Sequence, residues 1–213
     1  RFIGFGGRII GSGNPKYLNT PETIVFHKGK NLYGLNWSRD SIKQNGCIVL
    51  VEGYTDCISL HAKGVTNTAA SLGTAFTEQH AKLIARLTNN VVIAFDSDQA
   101  GVKAIQRGLE ILVDAGLNVK VAPLPEGLDP DTFARNHSAK EVLSWIEGAV
   151  PYLEYQINLV VSQSDINSLE GKIKAAKEII NILSKIESVI VRAEYSNYAA
   201  NLLSIDPDVI VEE

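Results

Sequence analysis

Two short apolar runs that end in acid constrain this chain more than any other feature. Ile48-Val49-Leu50-Val51 leads into Glu52-Gly53, and Val91-Val92-Ile93-Ala94-Phe95 leads into Asp96-Ser97-Asp98. Runs of this length, rich in β-branched residues and bounded by turn signals, read as strands buried on both faces of a parallel sheet. Ligands of such sheets lie outside the carboxyl ends of the strands. Glu52, Asp96 and Asp98 therefore fall where a ligand would sit. Carboxylates gathered there repel one another unless a cation neutralises them, and hard oxygen donors suit Mg2+ or Mn2+. Strand-end acids also occur as solvated loop residues, and a lone Asp-x-Asp would read that way. Its coupling to Glu-Gly on an earlier strand favours a metal-dependent phosphoryl or nucleotidyl transfer site.

The surrounding pattern builds a sheet domain around these runs. Tyr54 to Lys63 has helical periodicity, and Gly64 is a natural residue just past a helix end. Val65 to Ala70 is a weaker strand. Thr77 caps a helix that carries Glu78 in its first turn. Gln99 to Ala115 places Val102, Ile105, Leu109, Leu112 and Val113 on one helical stripe. Val119 to Ala122 is the last strand, stopped by Pro123 and Pro125. The order β-α-β-α-β-α-β predicts an α/β fold: an open parallel sheet with flanking helices and right-handed crossovers. Ser138-x-x-Glu141 is a capping box that opens a further helix. From Pro151 the pattern is all-helical.

The first 46 residues differ in character. RFIGFGGRII holds strand formers, with Gly4, Gly6 and Gly7 permitting a bend. It lacks the final Gly-Lys-Ser/Thr of a P-loop, and no helix pattern follows, which excludes that phosphate cradle. A short strand is expected at Ile24-Val25-Phe26 and a helix across Trp37 to Lys43. Up to Lys43 there are seven Lys/Arg against two acids, whereas the whole chain has a formal charge of -4. A basic module beside an acidic, metal-seeking one suits a polyanion partner. The expected organisation is a partial basic α+β subdomain over 1–46, a metal-binding sheet domain over 47–148 and a helical subdomain over 149–213.

Cys47 and Cys57 are the only cysteines. They are too few for a zinc set and read as core thiols in a reducing compartment. No apolar run approaches the length of a membrane span, and no signal-peptide pattern is visible. A cytoplasmic protein with no membrane partner is expected. The chain opens at Arg1 and contains no Met, so it reads as a fragment of a longer protein.

The acids fall into three clusters: Glu52 with Asp56, Asp96 with Asp98, and Asp129 with Asp131. Each follows a predicted parallel strand. Asp56 lies one helical turn beyond Glu52 and can face inward. Such a number of acids suits two metals, one lowering the pKa of an attacking hydroxyl and one steadying a leaving phosphate. Asp131 and Asp56 could instead hold their loops by capping. Gly53 would let backbone approach the site, or simply form a tight turn. Arg8, Lys16, Lys28 and Lys30 can neutralise phosphates, and Tyr17 beside Lys16 offers a stacking face. Each of these taken alone reads first as solvated surface. His61 and His80 read as structural.

Four segments resemble the Toprim domain of bacterial DNA primase: Val51-Glu52-Gly53-Tyr54-Thr55-Asp56, Ala70-Ser71-Leu72-Gly73-Thr74, Phe95-Asp96-Ser97-Asp98-Gln99-Ala100-Gly101 and Gly127-Leu128-Asp129-Pro130-Asp131. Ile3-Gly4-Phe5-Gly6-Gly7-Arg8, the segment from Pro15 to Thr23 and the segment from Phe26 to Leu35 resemble the primase subdomain that precedes Toprim. The resemblance implies a ribonucleotidyl transferase that makes short RNA primers on single-stranded DNA at the replication fork. Glu52, Asp96 and Asp98 would bind catalytic Mg2+ or Mn2+, with Asp56, Asp129 and Asp131 nearby. Arg8, Lys16, Tyr17, Asn19, Lys28 and Lys30 would meet template and incoming ribonucleoside triphosphate. The family usually has Met where Thr55 stands and often Gly where Ser97 stands. Its zinc-binding N-terminal module and its C-terminal domain for the replicative helicase are expected to lie outside this chain. A Toprim nuclease and a non-catalytic nucleic-acid-binding scaffold are the alternatives that the acids alone leave open.

Overall fold

The computed structural model describes residues 2–9, 17–95, 108–125, 127–207 and 210. The chain divides into two compact units, Arg1–Ala149 and Val150–Glu213.

The first unit is organised on β3 (Ile48–Val51), after a small antiparallel pair of β1 (Gly6–Arg8) and β2 (Tyr17–Asn19). All four residues of β3 are buried. β3 is flanked by β4 (Thr68–Ala70) on one side and β5 (Asn90–Ile93) on the other, with β6 (Asn118–Val121) beyond β5. Every pairing among these four strands is parallel, with Leu50 opposite Ala69 and Ile93. The chain leaves β3 for β4, then returns across β3 to reach β5. That reversal puts a topological switch point at the carboxyl ends of β3 and β5, where open α/β sheets bind ligands.

Both faces of the central strands are covered, which is why β3 and β5 run apolar without alternation, whereas β6 alternates exposed Asn118 and Lys120 with buried Val119 and Val121. Val49, Val51, Val92 and Ala94 pack with Leu60, Phe133, Ala134 and Val142. Their neighbours along the strands, Ile48, Leu50, Val91 and Ile93, are buried as well. The helices of this unit are α1 (Leu35–Asn45), α2 (Tyr54–Ala62), α3 (Glu78–Ala85), α4 (residues 108–114 of those described), α5 (Pro130–Asn136) and α6 (Ala139–Glu147). The capping signals act as the sequence predicts. Thr77 accepts from the His80 amide, and Ser138 and Glu141 form a reciprocal capping box.

One expected strand is absent. Ile24 and Val25 form a bend and are 97% and 65% exposed. The Thr23 hydroxyl accepts from the amides of Val25 and Phe26, a local side-chain turn that competes with strand formation. Of the helix expected over 99–115, residues 96–107 lie outside those described. His61 is structural, its Nε2 lying 3.0 Å from the Thr68 carbonyl.

Both thiols are free. Burial pushes the Cys57 thiol up to about 12, and burial raises Cys47 as well. The thiolate is the reactive species. Cys57 should therefore resist iodoacetamide near pH 8 in the folded chain and label fully in denaturant, as mass spectrometry would read. Rapid labelling of folded protein at Cys57 would contradict its burial.

The second unit opens with the short strand β7 (Val150–Pro151) and continues as α7 (Tyr152–Ser162), α8 (Leu169–Leu183) and α9 (Val189–Leu203). Ile157, Val160, Ala175, Ile179, Leu183, Ala199, Ala200 and Leu203 form its core. No helix among the described residues is long and apolar enough to cross a membrane.

Candidate active site

Glu52 follows β3 directly and is half-buried. Its carbonyl accepts from the Leu72 amide at 3.0 Å, and the Val51 carbonyl accepts from the Ser71 amide at 3.1 Å. The loop after β4 is thereby stitched to the end of β3. Leu72 sits at φ 61°, a left-handed conformation that costs a side-chain-bearing residue about 1–2 kcal/mol. Strain of this kind gathers where surrounding bonds over-determine a ligand-facing loop.

Asp56 lies in the first turn of α2 and is buried. Its Oδ2 accepts from the Gly53 amide at 3.0 Å, and its Oδ1 accepts from the Asp131 amide at 3.2 Å. It thus ties the turn after Glu52 to the start of α5. Asp129 caps α5, its Oδ1 accepting from the Thr132 amide at 2.6 Å. Asp131 is 5% exposed. Its Oδ1 accepts from Ser59 Oγ at 2.5 Å and from Arg135 Nε at 2.8 Å, and its Oδ2 lies 3.7 Å from Arg8 Nη1. The structure therefore joins Asp56, Asp131 and Arg8 in one network. Arg135 could have been found in the sequence, since it stands four residues after Asp131 on a helix. Ser59 carries no such signal.

Asp96, Asp98 and Lys16 lie outside the described residues. Among those described, no three His, Cys, Asp or Glu side chains converge as a metal-binding group. Glu52, Asp56, Asp129 and Asp131 are hard oxygen donors of the type Mg2+ takes.

The basic segment docks against this region. Arg8 and Asn19 stand on β1 and β2, and Tyr17 opens β2. A Cβ on Gly6 would meet Tyr54 Cε1 at 2.9 Å, so only glycine lets β1 lie this close to the ring. Tyr54 in turn packs near Tyr33, their ring centroids 5.9 Å apart. Lys28 and Lys30 stand in a single 3-10 turn. The Lys28 amide donates to the Glu22 carboxylate at 2.9 Å, and that bond holds the Glu22 carboxyl below its ordinary range.

Gly53 is extended, at φ -112° and ψ 157°. Its need for glycine is steric, because a Cβ would meet Asp56 Oδ2 at 2.9 Å. Gly53→Ala should push that carboxylate off the Gly53 amide and cost about 1 kcal/mol, as loss of a helix cap does. Thermal unfolding would read it. An unchanged Tm would mean that Asp56 moves without loss.

An open parallel sheet with Glu52 at the end of its central strand is an α/β domain of the class that binds ligands at a switch point. Residues 49–134 match the Toprim-like family model. Residues 1–39 match the model of the DNA primase catalytic core, N-terminal domain. Residues 153–208 match the DnaB-helicase binding domain of primase. The DNA primase of Clostridium acetobutylicum is 44% identical over 191 residues, covering 89% of this chain and 32% of that protein. A crystallised DNA primase domain from Pseudomonas aeruginosa is 38% identical with a TM-score of 0.77, matching 100% of this chain to 67% of its own. A DnaG primase catalytic domain bound to ssDNA is 34% identical with a TM-score of 0.76, over 97% of this chain and 66% of its own. The chain belongs to the bacterial DNA primase family. It spans about a third of the length of the curated primases it matches. One expectation is corrected here: a match to a helicase-binding model falls inside the chain, in the helical unit, and not wholly outside it.

Proposed function

We propose that this chain is the catalytic-core portion of a DNA primase. It transfers ribonucleotidyl groups to a growing RNA primer on a single-stranded DNA template. The observation that carries this reading is the join between the basic segment and the acids: Arg8 meets Asp131, whose amide is held by Asp56, one turn after Glu52. A polyanion drawn to Arg8, Lys16, Tyr17, Asn19, Lys28 and Lys30 would lie alongside the carboxylates.

In this reading Glu52, Asp96 and Asp98 hold Mg2+ or Mn2+, with Asp56, Asp129 and Asp131 nearby. Such a cation, when bound, supplies charge neutralisation at the reacting phosphate and a lower pKa for the attacking hydroxyl. The chain's own work is positioning. The basic residues bind template and triphosphate, and the primer 3′-hydroxyl is held in line with the α-phosphate of the ribonucleotide. Attack forms the new phosphodiester and expels pyrophosphate. The arginine and lysine charges then favour the charge that builds on the phosphoryl oxygens.

The family match over 153–208 supports the helical unit as a contact for the replicative helicase. A replication role is exercised in the cytoplasm. The reading is tested by incorporation of labelled ribonucleotides on a single-stranded oligodeoxynucleotide, with and without Mg2+ or Mn2+, beside Asp96→Asn. Metal-dependent product that vanishes in the variant is expected. Cleavage of the template without incorporation would overturn it in favour of a nuclease.

A further inference from the structure

The first turn of α3 holds a histidine that the reaction above does not use. His80 is fully buried. Its Nε2 lies 2.8 Å from the Lys28 carbonyl and 3.1 Å from the Asn31 carbonyl. Carbonyls only accept, so Nε2 carries the proton and donates to both. Nδ1 is then an unprotonated acceptor, buried and without a hydrogen-bond partner among the described residues. Leaving an acceptor so placed is costly, and something must offset it. What His80 gains is a grip on the turn that carries Lys28 and Lys30.

That grip is not made by His80 alone. Thr77 Oγ1 donates to the Gly29 carbonyl at 2.6 Å. The carbonyls of Lys28, Gly29 and Asn31 are thus all anchored on the start of α3, while Glu22 takes the Lys28 amide from the other side. The fit is tight, for a Cβ on Gly29 would lie 3.2 Å from Thr77 Cγ2. Phe76 sits edge-on to His80 at 6.0 Å and stacks on Phe95 at 5.7 Å. Phe95 is the residue before Asp96. One aromatic side chain, Phe76, therefore separates the anchor of the basic turn from the residue that precedes the Asp-x-Asp. Burial keeps the imidazole below its ordinary range, which favours the neutral, single-donor form.

We propose that His80 is a positioning residue, which with Thr77 fixes the Lys28–Lys30 turn so that its lysines meet phosphate groups. The proposal rests on reading that turn as a phosphate contact. The phosphates could be those of a single strand or of a nucleoside triphosphate, and the two are separable by measurement. A lysine on a floppy turn must be ordered at the moment of binding, which weakens each contact. Anchored backbone removes that loss.

The test uses the full chain and two probes, a fluorescein-labelled oligodeoxythymidylate and a labelled ribonucleoside triphosphate. Lys28→Ala should weaken one probe and, for the oligonucleotide, flatten the dependence of log affinity on log salt by roughly one charge. His80→Ala should weaken the same probe by a similar factor, about three- to tenfold. Adding His80→Ala to the pair Lys28→Ala/Lys30→Ala should weaken binding by no more than about twofold further, since His80 acts through those two lysines. His80→Gln should restore binding, because its amide nitrogen can donate to the same carbonyls. Thr77→Val removes the Gly29 anchor and should weaken the same probe, and it decides the matter if His80→Ala does not fold. Wild-type binding by folded His80→Ala and Thr77→Val, beside weakened Lys28→Ala, would overturn the positioning role. So would a full additive loss from His80→Ala in the background that already lacks both lysines. Wild-type binding of both probes by Lys28→Ala and Lys30→Ala would instead remove the phosphate reading of the turn, and the proposal with it.

Discussion

Glu52→Gln should lower metal-dependent ribonucleotide incorporation by on the order of 10²–10³-fold while leaving the fold intact. The amide has nearly the shape of the carboxylate but no charge. It can still occupy the half-buried position after β3, whose backbone ties to Ser71 and Leu72 are unaffected. What it removes is one of few hard anionic donors at the switch point of the sheet. Loss of a single electrostatic stabiliser of a transition state typically costs about 3–4 kcal/mol. At 1.36 kcal/mol per tenfold, that is the range given. Incorporation assays beside a thermal melt would check it. Near-wild-type incorporation would remove Glu52 from the metal set, whereas lost incorporation with a collapsed Tm would mean that its role is structural.

The second large effect is expected on stability. Asp131→Ala should destabilise the first unit by about 2–4 kcal/mol, because removing one member of a buried ionic network strands its partners. Ser59 loses its acceptor, and Arg8 and Arg135 lose their shared carboxylate. The two arginines are partly exposed and can turn to water, which keeps the cost below the upper end for buried pairs. Denaturant unfolding would measure it. A change under about 0.5 kcal/mol, the range of ordinary surface substitutions, would show that the network contributes little. The same variant removes the Asp131 contact from Arg8, so any gain in affinity for single-stranded DNA would indicate that Asp131 normally restrains that arginine.

Much of this fold was legible in the residues. The run Ile48–Val51 could be buried only as an inner parallel strand, because it offers no polar face to water. Thr77 and Ser138 announced their helices by capping chemistry, which is local and survives any tertiary context. Ile24-Val25-Phe26 misled for the opposite reason. β-branched residues signal a strand only where a neighbour exists to pair with, and Thr23 offered the backbone a nearer partner. The candidate site divides along the same line. The acids at 52, 56, 129 and 131 were visible by their place after apolar runs, but nothing in their spacing said which neighbours they had.

The sequence by itself determined the class of fold, the acidic strand ends, the basic first segment and the family they resemble, because these depend on residue type and on short-range periodicity. Only the tertiary structure decided that Asp56 reaches the Asp131 amide, that Arg8 crosses to Asp131 and that His80 grips the turn of Lys28. Those contacts join residues 52 to 123 positions apart in the chain. Such partners are selected by the packing of whole elements, and no local pattern encodes them.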